Sequence, residues 1–274
     1  MIKQKKMNGS KKNEGPDQFL GEKLKFSATE AYKLLRTNLF FCLPEGNDHA
    51  CPVVGVTSSV QGEGKSTTSI NLAYMLAENG KRVCLIEGDL RAPTFKSRLK
   101  LKNAVGLSHV LANMEADLGN LLTNSLHKNL WVVSAGDIPP NPAELLGSAR
   151  MEHFIGVLKE SFSYIVLDLP PITVVADALA VSGVLDGMLV VVEEGKTTKR
   201  ELTDAMQRLE MIHDKILGFV ITHAERTKGK YGKKYGKKYG YGYGYGYGYG
   251  YGYGYGYGGK RSESGSARSD SLDD

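Results

Sequence analysis

Short apolar runs alternate with segments of helical periodicity between residues 52 and 222. Helical patterns occur at 66–79, 149–160, 176–182 and 199–213. The apolar runs are rich in β-branched residues and predict buried strands at 53–57, 82–86, 130–134, 164–169, 188–192 and 216–222. Because strands that alternate with helices form mostly parallel sheets covered on both faces, the pattern predicts an α/β fold.

A separate helix is predicted ahead of this region, over residues 24–43. Ser27 and Glu30 have the spacing of a capping box at its start. Glu30, Lys33 and Arg36 recur every three residues and form a charged stripe beside the apolar face. From the residues alone, the simplest interpretation of this stripe is a solvated face with local ion pairs.

The two ends of the chain differ in composition from its centre. Residues 1–23 are polar and rich in Lys, Gly and Asn, which predicts a disordered leader without a secretory signal. From about residue 228, Lys-Tyr-Gly units pass into an uninterrupted Tyr-Gly alternation at 239–258. Alternate glycines raise the entropy cost of ordering, and this alternation offers no aliphatic side chain for burial. We therefore expect a folded domain at 24–227 and a flexible tail at 228–274.

The tail concentrates the phenols of the chain. The tail has three interpretations. It is an inert spacer, a segment whose aromatic side chains associate weakly, or a flexible substrate for phosphorylation. Each phosphate adds about −1.5 to −2 charges, so a few modifications would reverse the charge of a tail that begins with six lysines. Twelve of the 15 tyrosines lie here: Tyr231, Tyr235, Tyr239, Tyr241, Tyr243, Tyr245, Tyr247, Tyr249, Tyr251, Tyr253, Tyr255 and Tyr257.

The composition predicts a globular protein without a nucleic-acid partner or a membrane span. Hydrophobic residues make up 41%, enough for a sizeable core, and the formal charge of +5 lies largely in the tail, so no nucleic-acid partner is predicted. The apolar runs are too short to cross a bilayer. Cys42, Cys51 and Cys84 lack metal-ligand spacing and stand beside apolar residues, which favours reduced, buried thiols and a cytoplasmic location.

The strongest chemical signal lies between the first predicted strand and the helix that follows it. Residues 58–67 read SSVQGEGKST, a Walker A loop with Ser59 in place of the usual first glycine. Glycines let backbone N–H groups converge on phosphate oxygens, and the helix N-terminus adds positive partial charge. A nucleotide would contact Gln61, Gly62, Glu63, Gly64, Lys65, Ser66 and Thr67, with the Ser66 hydroxyl ligating Mg²⁺.

Carboxylates follow two other predicted strands. Glu87 and Asp89 end the second strand, and Asp168 ends the fourth. Because ligands of open α/β sheets bind at the carboxyl ends of the strands, these groups should meet beside the Walker A loop, where they suit Mg²⁺. Asp168 is interpreted as the Walker B residue and Asp89 as metal support or proton acceptor, a task that Glu87 would share. Arg91 would stabilise transferring charge or pair with Asp89.

These motifs, in this order, resemble the bacterial tyrosine kinases that regulate polysaccharide synthesis and export. The resemblance covers most of residues 26–222 and includes EAYKLLR at 30–36, GDIPPNPAELL at 136–146 and DALA at 177–180. It implies a P-loop kinase in which Lys65 and Ser66 bind ATP with Mg²⁺ while Asp89 and Asp168 organise the metal. The family has Asp where this chain has Glu87, and Arg where it has Lys33.

The resemblance also implies partners. The helix at 24–43 would join copies into a homo-oligomeric ring through Glu30, Lys33 and Arg36, and the tail of one copy would enter the active site of its neighbour. A separate membrane protein would anchor and activate the kinase at the inner face of the cell membrane, and a protein tyrosine phosphatase would reverse its action.

Two other functions share the same core motifs. Partitioning or positioning ATPases use nucleotide to switch dimerisation, but they carry an additional lysine at the position of Val60 and lack a tyrosine tail. A nucleotide-dependent binding module without transfer chemistry is the third class. Label from ATP on protein indicates a kinase, and free phosphate alone indicates an ATPase.

Overall fold

The computed structural model describes residues 21–43, 51–112, 118–124 and 126–224, which all belong to one compact unit. The strands are β1 Val53–Ser58, β2 Val83–Glu87, β3 Thr123–Asn124, β4 Leu130–Val133, β5 Tyr164–Asp168, β6 Gly187–Glu193 and β7 Ile216–Thr222. The helices are α1 Phe26–Cys42, α2 Lys65–Glu78, α3 Phe95–Arg98, α4 Leu107–Ala112, α5 Leu118–Leu121, α6 Pro142–Leu146, α7 Ala149–Lys159, α8 Asp177–Ala180 and α9 Lys199–Leu209.

All seven strands form a single sheet in the order β3-β4-β2-β5-β1-β6-β7. Every pair is parallel except β3 with β4. The strand β1 lies between β5 and β6, so the loop that follows it is at the middle of the carboxyl edge. This confirms the predicted α/β fold, and the six predicted strands end within one residue of their predicted bounds.

Helices bury both faces of this sheet. Neighbouring strand residues alternate between two hydrophobic clusters: Val53 belongs to the cluster beneath α6, α7 and α9, whereas Val54 and Val56 belong to the cluster beneath α1 and α2. Helix α2 is itself covered by α1 and is buried at every position from Ile70 to Ala77. Such two-sided burial explains why the strands read as continuous apolar runs.

The ends of two helices show where sequence signals hold and fail. Helix α2 ends at Glu78, one residue before its predicted end, and Gly80 follows with a φ of +82°, the left-handed conformation that glycine adopts easily. The capping box predicted at Ser27 and Glu30 is wrong, because α1 begins at Phe26 with Lys25 as N-cap and no side-chain cap. The carboxylate of Glu30 instead pairs with Lys33 one turn later.

The structure changes two further expectations, for residues 21–23 and for Cys42. Residues 21–23, assigned to the leader, form a 3₁₀ turn in which the Gly21 N–H donates to Oδ1 of Asn71 at 2.9 Å. Burial holds for Cys51 and Cys84 but is wrong for Cys42, which is exposed at the end of α1. Residues 1–20 and the tail at 228–274 lie outside the described residues. No helix in the described ranges is long and apolar enough to cross a membrane.

Candidate active site

The loop from β1 to α2 has the backbone that a phosphate cradle requires. Gly62 and Gly64 adopt φ of +82° and +91°, in the left-handed region where a Cβ is strained. Gly64 is the N-cap of α2, and Lys65 and Ser66 form the first turn of that helix. The amino end of α2, with its positive partial charge, therefore faces the loop. Gln61 is exposed at the outer side of the loop.

The cradle is held in shape by Lys196, Thr197 and Thr222, which sequence reasoning missed, and by Glu63, which was predicted to contact nucleotide. Glu63 is fully buried and accepts hydrogen bonds from the Val60 N–H at 2.8 Å and from the Thr197 hydroxyl. The Thr222 hydroxyl donates to the Glu63 carbonyl at 2.8 Å, and Nζ of Lys196 donates to the Gly62 carbonyl at 2.9 Å. The carboxyl ends of β6 and β7 thus support the loop.

On the other side of the loop, Lys65 meets the predicted acidic residues. Its Nζ donates to Oδ2 of Asp89 at 2.7 Å, and lies 3.4 Å from Oγ of Ser66 and 3.8 Å from Oδ2 of Asp168. All four residues are buried. The Ser69 hydroxyl donates to Oδ1 of Asp168 at 2.9 Å. Ser69 was missed, although it stands four residues after Lys65 and hence on the same face of α2.

Burial and charge act in opposite directions within this group. Burial raises the pKa of Asp168, although the positive charge of Lys65 and the neighbouring hydroxyls lower it in part. Burial lowers the pKa of Lys65, but the nearby charges of Asp168 and Asp89 outweigh it, so that the pKa is raised above 10.5. Lys65 therefore remains a cation, and the charge of Asp168 depends on keeping a cation beside it.

Glu87 lies in the same region but is engaged by the backbone. Its Oε1 accepts from the N–H groups of Thr94 and Phe95, the latter at 2.6 Å, and its Oε2 accepts from the Ala135 N–H at 3.0 Å. Burial raises the pKa of Glu87, and these three hydrogen bonds counteract it in part. The carboxylate therefore ties the β2–α3 loop to the end of β4, and both of its oxygens are occupied.

Arg91 does not pair with Asp89 as one prediction had it. Its Nε and Nη2 bind the two carboxylate oxygens of Asp177 at 2.9 and 3.0 Å, and Asp177 is fully buried at the start of α8. Bidentate geometry fixes the guanidinium plane. Asp89 instead accepts from the Ala92 N–H at 3.1 Å through its second oxygen.

The donor set fits a nucleotide with Mg²⁺. Oδ2 of Asp168 is buried and has no hydrogen-bond partner in the described part of the chain, and an unpaired buried carboxylate oxygen is costly unless a cation or water meets it. Nζ of Lys65 lies 3.8 Å from this oxygen, and the same Nζ also contacts Ser66 and Asp89. One hydroxyl and two carboxylates are oxygen ligands of the kind Mg²⁺ prefers, with phosphate oxygens completing the shell.

The remaining predicted residues have other partners. Thr67 accepts a hydrogen bond from Arg98 at 3.1 Å on α2. Lys33 pairs with Glu30 at 3.0 Å on α1, and Nη1 of Arg36 donates to the Met75 carbonyl of α2 at 2.9 Å. The predicted acceptor tyrosines of the tail lie outside the described residues.

Known proteins are similar to this chain over more than half of its length. A family model described as an AAA domain matches residues 53–218. The chain is 38% identical over 205 residues to tyrosine-protein kinase YwqD of Bacillus subtilis strain 168, spanning 74% of this chain and 85% of that one. It is 37% identical over 217 residues to tyrosine-protein kinase CpsD of Streptococcus pneumoniae serotype 4, spanning 77% and 92%.

A solved structure agrees with both relatives. The crystal structure of the chimerical protein CapA2B2 superposes with a TM-score of 0.71 at 28% identity, covering 77% of this chain and 92% of that one. The similarity to the two kinases extends over most of each aligned chain. The chain belongs to the bacterial tyrosine kinase family.

Proposed function

We propose that this protein transfers the γ-phosphoryl group of ATP to tyrosine hydroxyls, including those of its own tail. The observation that supports this most directly is the convergence of Lys65, Ser66, Asp89 and Asp168 beside a glycine cradle, with one oxygen of Asp168 buried and without a hydrogen bond in the described structure. Positioned charges of this kind supply most of the catalysis in phosphoryl transfer.

Each residue of the group has a distinct task in this proposal. The loop N–H groups and Lys65 hold the β- and γ-phosphates, Ser66 and Asp168 hold Mg²⁺, and Asp89 either supports the metal or accepts the proton of the acceptor. When bound, Mg²⁺ neutralises charge that develops on the transferring group. Hydrogen bonds from Thr197 and Thr222 to Glu63 hold the loop in its conformation before nucleotide binds.

The acceptor needs a proton acceptor as well as a phosphate donor. The phenol oxygen bonds to the γ-phosphorus, the bond to the oxygen bridging to ADP breaks, and the phenol proton, with a pKa near 10, is lost. Glu87 uses both oxygens on backbone N–H groups, which disfavours it as the base. Asp89 holds Lys65 through Oδ2, and this oxygen becomes available to take the proton when Lys65 binds phosphate.

The tail supplies the acceptors in this proposal, with residues 24–227 as the kinase domain and 228–274 as the segment modified in trans. The three tyrosines of the domain are packing residues. Tyr74 is buried and meets the ring of His127 edge-on, Tyr164 meets Phe40, and Tyr32 packs against the core beneath α1. Burial raises the pKa of Tyr74 and Tyr164.

Assembly and regulation complete the proposal. Copies join through α1 into a ring, and exposed Phe26 and Phe41, at 59% and 84%, add apolar area to the charged stripe on that helix. A membrane-anchored activator holds the kinase at the inner face of the membrane, and a tyrosine phosphatase resets the tail. The phosphorylation state then controls capsule or exopolysaccharide synthesis and export.

Mass spectrometry of the protein incubated with ATP and Mg²⁺, with the activating partner present, tests the transfer chemistry. We expect tyrosine phosphate on the wild-type tail and at least a roughly 100-fold loss in Lys65→Met, whereas exposed Lys81→Met retains activity. Thermal melting verifies that each variant is folded. Release of free phosphate without phosphorylation of the protein would show an ATPase and contradict the kinase proposal. Equal tyrosine phosphorylation of Lys65→Met would mean that another enzyme modifies the tail.

A further inference from the structure

A polar cleft lies between the carboxyl ends of β2 and β4, on the side of Glu87 that faces away from the phosphate loop. Pro93 and Lys96 come from the segment after β2, Asn103 from the segment before α4, and Ser134 and Asp137 from the segment after β4. None of these side chains has a task in binding nucleotide. The proposed chemistry therefore leaves the cleft unexplained.

Polar groups without partners surround this cleft. Oδ1 of Asn103 is buried and accepts no hydrogen bond within the described ranges, although its Nδ2 donates to the Val105 carbonyl at 3.0 Å. Thr94 beside Pro93, and Ser108, which lies against Gly136, also have buried hydroxyls that no other described residue satisfies. Of these three groups, Asn103 lines the cleft itself, and a ligand with a backbone N–H would complete its hydrogen bonding.

The order of the strands places the cleft on the acceptor side of the reaction. Along the carboxyl edge come the loop after β1, then Asp168 at the end of β5, then Glu87 and Asp89 at β2, and then the cleft at β4. Phosphate donor and acceptor lie roughly in line on opposite sides of the transferring phosphorus. Nucleotide would lie against the loop after β1, so the β4 side of Asp168 and Glu87 is the side left for an acceptor peptide.

We propose that this cleft binds the peptide around the acceptor tyrosine and that Asp137 selects tyrosines flanked by lysine. The proposal rests on the kinase function proposed above. Small apolar surfaces of Pro93 and Ala104 receive the ring, and the unpaired amide oxygen of Asn103 receives a backbone N–H of the peptide.

Charge distinguishes the two halves of the tail. The cleft has two carboxylates: Glu87 is satisfied by backbone N–H groups, whereas the side chain of Asp137 is 93% exposed and lies 3.2 Å from Nε2 of His109. Lysines flank Tyr231 and Tyr235, but the tyrosines from 243 to 257 have only glycine beside them. Asp137 would therefore favour the basic half, and Lys96 would oppose it.

The test compares two peptides copied from the tail, residues 232–240 (GKKYGKKYG) and residues 242–250 (GYGYGYGYG). In Asp137→Lys we expect kcat/KM for the basic peptide to fall about two- to fivefold, as for an exposed ion pair, while the Tyr-Gly peptide changes by less than about twofold. Lys96→Glu should shift the ratio in the opposite direction, which a folding defect would not do. Glu78→Lys, the same charge change at the far end of α2, serves as the control.

Binding separates this inference from the kinase proposal. Fluorescence anisotropy of the labelled basic peptide on Lys65→Met protein measures the cleft without any transfer step. Weaker binding after Asp137→Lys supports the assignment even if no peptide is phosphorylated. Equal binding by both proteins, or an equal loss for Glu78→Lys, would overturn the role of Asp137 and leave the transfer chemistry untouched.

Discussion

At the scale of single residues, the buried carboxylate of Asp168 costs free energy in the folded state. Asp168 is nearly inaccessible, yet one of its oxygens has no hydrogen-bond donor in the described structure and its nearest cation, Lys65, is 3.8 Å away. Desolvation raises the pKa of this carboxyl. A folded state with a raised acid pKa loses stability as the pH rises above the unfolded value, because the unfolded chain ionises more easily.

Asp168→Asn should therefore make the nucleotide-free protein more stable and less active. Below an unfolded pKa of about 3.8 both forms are neutral and should unfold alike; as the pH rises through and above that value, the variant should become the more stable. Urea unfolding from pH 3 to 8 measures the difference. Phosphotransfer should fall at least about 100-fold. A variant less stable than wild type at pH 7 would show that Asp168 stabilises the fold.

At the scale of elements, the cradle depends on strands distant in sequence. Thr222 at the end of β7 bonds the carbonyl of Glu63 across 159 positions, and Thr197 after β6 bonds its carboxylate across 134. A Cβ placed on Gly64 would lie 3.4 Å from the Thr222 side chain. The β6 and β7 ends thus close one side of the loop and fix its backbone.

Thr222→Val keeps the shape of this side chain and removes its hydrogen bond. The lost hydrogen bond should cost about 1 kcal/mol in the binding free energy of ADP with Mg²⁺, because the loop is less ordered before binding. This corresponds to roughly fivefold weaker binding, which calorimetry measures. Thr203→Val on α9 is the matched control, since its hydroxyl bonds only the Lys199 carbonyl of its own helix. Unchanged affinity in Thr222→Val would mean that the loop holds its conformation without β7.

These elements also show what sequence could predict. Apolar periodicity located the strands and the long helices because burial on both faces leaves a continuous pattern, and the glycine–lysine spacing located the cradle because its backbone permits few alternatives. The partners of Glu63, Glu87 and Arg91 were missed or misassigned. Each is bonded to segments that only the strand order brings near, such as Asp177, 86 positions from Arg91. Local sequence contains no signal for such contacts.

At the scale of the whole molecule, the charged stripe of α1 serves two different purposes. Glu30 and Lys33 pair with each other at the surface, whereas Arg36 reaches back to the Met75 carbonyl within the same chain. Reversing all three charges would therefore disturb the monomer together with any assembly. The subunit contact has to be tested at the first two positions alone.

The exchange Glu30→Lys with Lys33→Glu preserves the local ion pair and reverses the charge pattern that a neighbour would meet. We expect multi-angle light scattering to show a shift toward monomer with an unchanged melting temperature. Arg36→Met should instead lower the melting temperature, because the Met75 carbonyl loses a charged donor worth about 1.5–3 kcal/mol. Wild-type assembly that persists in the exchange variant would exclude these two residues from the contact.

The bond between Arg36 and Met75 gives α2 a mechanical meaning. This helix is 14 residues long, about 21 Å at 1.5 Å per residue, and its first residue is the lysine that would grip phosphate. The Arg36 guanidinium donates to the Met75 carbonyl near the opposite end of the helix. In the proposed ring, a neighbouring copy that displaced α1 would therefore pull on the far end of a helix whose first residue is placed for phosphate, so that assembly would be coupled to nucleotide affinity.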